Sequence, residues 1–87
     1  MKWSYGFTNR ADRDLRDIGE DDRRRMFETL DRFTADPVRS GVDVQRVKGS
    51  RDDWRLRVGR WRLIFQYDRQ KHLILVTRVL PRNEATY

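Results

Sequence analysis

The chain has 87 residues, of which 20 are lysine or arginine and 14 are aspartate or glutamate, so its net charge is +6. This length suffices for one compact domain over residues 1–87 and is too short for two. The absence of cysteine excludes disulfides, thiolate catalysis and thiolate metal sites, and it fits a reducing, cytoplasmic location. No apolar run is long enough to span a membrane, and the N-terminus lacks the apolar core of a signal peptide.

The N-terminal half predicts a short strand followed by two helices. Apolar and small residues alternate over residues 3–7, which is typical of a strand. Thr8 or Asn9 can cap the first helix, and Gly19 stands where its C-terminal cap belongs. Acidic residues 20–22 favour the start of a second helix, because they complement the helix dipole. With so short a link between them, the two helices should form an antiparallel hairpin.

From residue 44 onward the apolar period changes to two, which predicts strands. Residues 54–58 and 61–67 should form a hairpin, because the Gly59-Arg60 pair between them matches a type II′ turn. Two further strands are predicted over residues 44–47 and 73–80. The order β-α-α-β-β-β-β indicates an α+β fold, in which an antiparallel sheet of about four strands carries the helical hairpin on one face.

The geometry of a two-residue hairpin predicts which side chains share a face of the sheet. Val58 should lie opposite Trp61, so that the apolar residues of both strands face the helices. The other face then places Arg57 directly opposite Arg62. Like charges that oppose each other destabilise a sheet, so a phosphate chain held by arginine forks is the natural compensation.

The third strand and the residue after Pro81 extend this predicted basic face. Leu73, Leu75 and Val79 should face the core, and Arg78 the open side. The predicted face then gathers Lys48, Arg55, Arg57, Arg62, Arg78 and Arg82. Residues 44–87 hold eleven basic and four acidic residues, against nine and ten in residues 1–43, and such one-sided charge suits a polyanion. The pattern argues for anion binding more than for catalysis, and solvation of an exposed face or pairing with acids of a partner would also explain it.

Several chemistries are disfavoured by the residue inventory. His72 is the single histidine, so a two-histidine ribonuclease mechanism is impossible in this chain alone. No acidic cluster with metal-ligand spacing lies near the predicted basic face, which disfavours a two-metal nuclease. Asp12, Asp14 and Asp17 lie among arginines on a helix and indicate a solvated ion-pair surface. We therefore predict no metal and no cofactor.

Three segments of the C-terminal half carry a family resemblance: Val47-Lys48-Gly49, residues 54–65 and residues 78–87. Together with the element order and the chain length, they resemble the RelE branch of the RelE/ParE toxin superfamily. The resemblance implies a toxin that a cognate antitoxin holds inactive. Freed toxin would enter the ribosomal A site and cut mRNA there without a metal, by attack of a 2′-hydroxyl on the neighbouring phosphate to leave a 2′,3′-cyclic phosphate.

The resemblance also implies roles for the basic residues, position by position. Lys48 matches an RNA-contact position, and Arg78, on the same face, is predicted to bind RNA with it. Arg55 and Arg57 match two positions that are lysines in the best-known member. Arg62 matches the strand arginine that steadies the transition state.

The C-terminal residues complete the set that the resemblance implies. Arg82 matches a basic residue near the leaving oxygen, and Tyr87 matches a terminal tyrosine that contacts the substrate base. The two arginines that replace family lysines are poor general bases, because arginine is effectively never deprotonated in proteins. Tyr87, Lys48, Glu84 and a ribosomal group stay open as the general base.

Two alternatives to the nuclease stay open as well. A ParE-like poison of DNA gyrase would share the fold and act by binding a protein, but such chains usually lack the set Arg57, Arg62, Arg82 and Tyr87. A non-catalytic RNA-binding module would bind RNA in a salt-sensitive way without cutting it. We favour the enzyme.

Overall fold

A five-stranded mixed sheet carries both helices on one face in the computed structural model, which describes residues 2–81. The elements are β1 (Ser4–Phe7), α1 (Asn9–Arg16), α2 (Glu20–Ala35), β2 (Val44–Arg46), β3 (Trp54–Val58), β4 (Trp61–Asp68) and β5 (Leu73–Pro81). They lie in the sheet in the order β1-β5-β4-β3-β2. The predicted α+β class is confirmed. None of the helices in the described part of the chain is long and apolar enough to cross a membrane.

The sheet differs from the prediction at its β1 edge. It has five strands rather than about four, and it is mixed rather than antiparallel, because β1 runs parallel to β5 from the pair Ser4 and Leu73 to the pair Phe7 and Val76. No turn joins these two strands, since both helices and three strands lie between them in the chain. Their pairing is therefore set by the packing of the whole domain, which a local strand pattern does not contain.

The start of α1 agrees with the sequence, whereas the link between the helices differs from it. Thr8 is the N-cap residue, and its hydroxyl accepts a hydrogen bond from the Ala11 backbone N–H at 3.2 Å. Gly19 was expected to cap the end of α1, and instead it is the N-cap of α2 with an extended backbone. The link between the helices is so short that Gly19, directly before Glu20, already serves the start of α2.

The core lies between the helices and one face of the sheet. The predicted hairpin register is confirmed, with Val58 opposite Trp61, Leu56 opposite Leu63 and Trp54 opposite Phe65. Phe65 is fully buried, and its ring meets that of Phe33 on α2 at 5.6 Å between centroids. These strand residues pack with buried residues of both helices in a single apolar cluster.

A β-bulge in β5 changes which residues of that strand face the core. Ile64 pairs with Arg78, but the next β4 residue, Phe65, pairs with Val76, so Thr77 is the extra residue. Val79 faces the core as predicted, and Ile74 and Val76 are fully buried there. The prediction that Leu73 and Leu75 face the core is wrong, because a strict period of two has no place for the extra residue.

Candidate nucleic-acid interface

The face of the sheet turned away from the helices, here called the open face, carries the predicted arginines. Arg57 on β3 lies directly opposite Arg62 on β4, as the hairpin geometry predicted. Two pairs further along, Arg55 lies opposite Ile64, and Ile64 in turn pairs with Arg78 on β5. Arginines from three adjacent strands therefore occupy neighbouring positions on one side of the sheet.

Three of the predicted cations line a single cavity on the open face. This basic cleft has a volume of about 130 Å³ and is lined by Gln45, Arg46, Val47, Lys48, Arg55, Arg62 and Ile64. Ile64 is fully buried there although it points away from the helices. Lys48 reaches the cleft from the segment after β2, where Gly49 adopts a left-handed φ of 84°. A small cavity with cations around an apolar residue suits a phosphate group, because each cation can donate to its oxygens.

Arg62 is the most buried of the cations that line the basic cleft. Only 8% of the residue is exposed, although buried arginine is rare. It lies between β3 and β5, with Arg57 on one side and Leu80 on the other. A buried guanidinium has few orientations open to it, so its position is largely fixed before a ligand binds.

Arg55 and Arg57 have different neighbours. Arg55 donates a hydrogen bond from Nη2 to Oε1 of Gln45 at 2.6 Å, which holds its guanidinium at the cleft. Arg57 contacts Asp43 at 3.6 Å, a distance typical of a weak surface ion pair. Its buried Nε has no hydrogen-bond partner among the described residues. Arg57 lines a second cavity, of about 370 Å³, between α2 and the β3 edge rather than the basic cleft itself.

Arg78 is on the open face by register, but its guanidinium is bound to α1. Its Nε donates to Oδ2 of Asp14 at 2.9 Å, and the same oxygen accepts from the backbone N–H of Val79 at 2.9 Å. Asp14 therefore joins α1 to the edge of β5 and neutralises this arginine. Asp14 was expected to belong to a solvated ion-pair surface, and Arg10 at 3.9 Å is its solvent-side partner.

The candidates for the general base lie mostly at the C-terminus. Arg82, Glu84 and Tyr87 lie outside the described residues, so their predicted roles stay predictions.

The two described tyrosines, Tyr5 and Tyr67, pack on the helix side of the sheet. Burial and a hydrogen bond to Asp31 raise the pKa of Tyr5, and burial raises the pKa of Tyr67 despite the opposing charge of Arg69.

Gln45 and Gln66 are open-face residues that were not predicted. Gln45 is paired with Arg55 across β2 and β3, and Gln66 continues the alternation of β4 beyond Arg62 and Ile64. The period of two contained the signal for both, but neutral side chains do not stand out beside arginines.

Within residues 2–81, no group of three or more His, Asp or Glu side chains is placed to hold a metal ion.

Comparison with known proteins identifies the family. A sequence profile described as the ParE toxin of type II toxin–antitoxin system, parDE, matches residues 5–86. The chain belongs to this toxin family. It is thus a toxin of a type II toxin–antitoxin system, and the predicted membership of the RelE/ParE superfamily is confirmed.

The toxin is also similar to proteins that carry the RelE name. It is 25% identical over 88 residues to a Methanocaldococcus jannaschii protein named as toxin RelE1, and the match covers 100% of this chain and 97% of the relative. The RelE–RelB complex of Pyrococcus horikoshii contains a chain that matches with a TM-score of 0.77 at 24% identity, covering 98% of this chain and 100% of that one.

A third relative is bacterial. The toxin–antitoxin complex RelBE2 of Mycobacterium tuberculosis matches with a TM-score of 0.76 at 22% identity, covering 94% of this chain and 100% of that one. At these identities the structures establish the shared fold of the toxin.

Proposed function

We propose that the toxin is a ribosome-dependent, metal-independent endoribonuclease that cuts mRNA and thereby inhibits translation. The observation that supports this most is the basic cleft, where Lys48, Arg55 and the buried Arg62 line one cavity on the open face. An exposed basic surface would suffice for loose binding to RNA. A buried arginine that lines the cleft is instead what charge stabilisation in a transition state requires.

The proposed reaction is an intramolecular transfer at phosphorus. The 2′-oxygen of the substrate gives its proton to a base and bonds to the adjacent phosphorus. The bond from phosphorus to the 5′-oxygen breaks, and that oxygen takes up a proton, leaving a 2′,3′-cyclic phosphate and a 5′-hydroxyl. The phosphoryl oxygens gain negative charge on the way, and Arg62 and Arg55 can donate to them in the forked geometry of guanidinium.

The remaining roles follow the family resemblance. Arg82 would lie near the leaving oxygen and Tyr87 against the substrate base. The general base stays open among Tyr87, Lys48, Glu84 and a group of the ribosome. A ribosomal base would explain why such a cationic site needs the A site to cut.

The same resemblance supports the proposed partners. The related chain from Pyrococcus horikoshii was solved in a RelE–RelB complex, and that from Mycobacterium tuberculosis in a toxin–antitoxin complex. We propose that this toxin likewise has a cognate antitoxin, and that the ribosomal A site and mRNA are its targets in the cytoplasm. A net charge of +6 also suits an acidic protein partner or an RNA surface.

A ParE-like poison of DNA gyrase is the second candidate, because the matching family profile carries the ParE description. Mapping of mRNA 5′ ends after brief expression of the toxin separates the two. New ends confined to translated transcripts support the nuclease. Intact mRNA together with double-strand DNA breaks would instead establish the gyrase poison.

Substitution of Arg62 tests the cleft itself. Arg62→Met should lower the rate of mRNA cleavage on ribosomes on the order of 10²–10³, as the loss of one preorganised donor does elsewhere. Arg55→Met, at a less buried position of the same cleft, should lower it by about tenfold. Arg13→Met is the matched control, because Arg13 is exposed on α1, and it should cut like the unsubstituted toxin. Full activity in folded Arg62→Met and Arg55→Met together would refute the proposed site.

A further inference from the structure

The segment of residues 47–53, here called the Lys48 loop, forms one side of the basic cleft. Its two ends are joined, since the Val47 backbone N–H donates to the Asp53 carbonyl at 2.9 Å. Inside it, the Ser50 backbone N–H donates to the Val47 carbonyl at 3.1 Å, and Gly49 takes the left-handed conformation that this turn needs. Lys48 therefore projects from a closed turn rather than from an open connection.

Asp53 is the centre of the hydrogen bonds that hold this loop. One carboxylate oxygen, Oδ2, accepts from the Ser50 hydroxyl at 3.0 Å, and the Asp53 backbone N–H donates back to that hydroxyl at 3.2 Å. The other oxygen, Oδ1, accepts from Nε2 of Gln66 at 2.9 Å. Hydrogen bonds to a carboxylate are about twice as strong as those between neutral groups. The loop is thus bound to β4 through a charged acceptor.

Gln66 is on the strand that also supplies Arg62. The two residues lie four positions apart on β4 and both point to the open face. Gln66 therefore connects the Lys48 loop to the same rigid strand that holds the buried guanidinium. The two oxygens of Asp53 accept from the neutral side chains of Ser50 and Gln66, so these hydrogen bonds hold the side of the cleft that carries Lys48.

We infer that Gln66 and Asp53 are positioning residues, which hold Lys48 beside Arg55 and Arg62 so that the three cations bind one phosphate group of the RNA. This inference rests on the proposed function. It assigns a role in the cleft to an amide and an acid, neither of which has a positive charge to offer a phosphate.

A double-mutant cycle between Gln66 and Lys48 tests the inference. Single-turnover cleavage is measured on purified ribosomes programmed with one mRNA, for Gln66→Met, Lys48→Met, the double variant and the unsubstituted toxin. Gln66→Met removes the amide donor and keeps the volume, and it should slow cleavage by about tenfold through misplacement of Lys48. In the Lys48→Met background the same change should lower the cleavage rate by less than about twofold, because the amine that Gln66 would position is already absent.

The control and the contrary results are defined by the same assay. Gln70→Met, at an exposed position of the β4–β5 loop, should leave cleavage unchanged. Equal losses from Gln66→Met in both backgrounds would show a merely structural role, and no loss in the first background would refute the inference outright. If the unsubstituted toxin cuts no mRNA, the proposed function fails instead.

Ser50→Ala keeps the test decisive if Gln66→Met does not fold. It removes the hydroxyl that Asp53 binds from within the loop and leaves β4 untouched. Cleavage should fall by about threefold with Lys48 present and stay within about twofold without it. The midpoint of thermal unfolding, measured for every variant, separates a displaced loop from an unfolded domain.

Discussion

The two faces of the β3–β4 hairpin are built from alternate residues of the same strands, and they obey opposite rules. On the helix face each cross-strand pair is apolar, as with Leu56 opposite Leu63, and the residues are buried or half-buried. On the open face Arg57 opposes Arg62, a pair that costs stability because like charges meet. The difference teaches that one face folds the domain, while the other collects positive charge that an anionic ligand can help to compensate.

The largest expected effect comes from breaking the helix face. Phe65→Ala should lower the free energy of unfolding by about 3–5 kcal/mol, because the buried ring fills the space below Phe33. A small domain has about 5–15 kcal/mol in total, so the toxin should lose activity through unfolding. Urea unfolding followed by tryptophan fluorescence measures this. A loss below about 1 kcal/mol would show that the core can close over the gap.

Removal of one open-face charge should move stability and activity in opposite directions. Arg57→Met keeps much of the side-chain volume and relieves the repulsion with Arg62, so the free energy of unfolding should rise by about 0.2–1 kcal/mol. Cleavage on ribosomes should fall by about tenfold, because a positive charge beside Arg62, next to the basic cleft, is lost. Arg24→Met on the exposed side of α2 is the matched control and should leave cleavage unaltered. A loss of stability in Arg57→Met would mean that its contact with Asp43 outweighs the repulsion.

The smallest expected effect is a loss of stability at alkaline pH, caused by two tyrosines on the helix side of the sheet. Burial raises the pKa of Tyr67, and burial with Asp31 raises that of Tyr5, so the folded state holds these protons more tightly than the unfolded chain does. This stabilisation is complete below the unfolded value of about 10 and is lost as the pH rises through the folded values. Urea midpoints measured from pH 9 upward should fall more steeply for the unsubstituted toxin than for Tyr67→Phe. Parallel curves would contradict this origin.

The parts of the site that could be read from the sequence are those joined by short connections. The turn at Gly59-Arg60 is two residues long, so it sets the register of β3 and β4 and places Arg57 against Arg62 without reference to the rest of the fold. The core residues of the same hairpin follow from that register. Local geometry was enough because the partner strand is the next one in the chain.

The parts that were missed depend on contacts between distant segments. The extra residue Thr77 shifts the faces of β5, and β1 joins that strand in parallel, although neither feature has a local signal. Asp14 binds Arg78 across 64 positions of sequence. Gln66 on β4 binds Asp53, which lies just before β3. Polar side chains such as these have many partners open to them until the backbone is folded.

Residue order along the chain was sufficient for the fold class, the hairpin register and the side of the sheet on which the positive charge collects, because alternation and a two-residue turn act over a few residues. Which cations share one cavity depended on three-dimensional packing. Asp14 binds Arg78, Arg57 lies toward Asp43, and the Lys48 loop closes beside Arg55 and Arg62. Those outcomes follow from distances between segments far apart in the chain, and such distances exist only after the domain has folded.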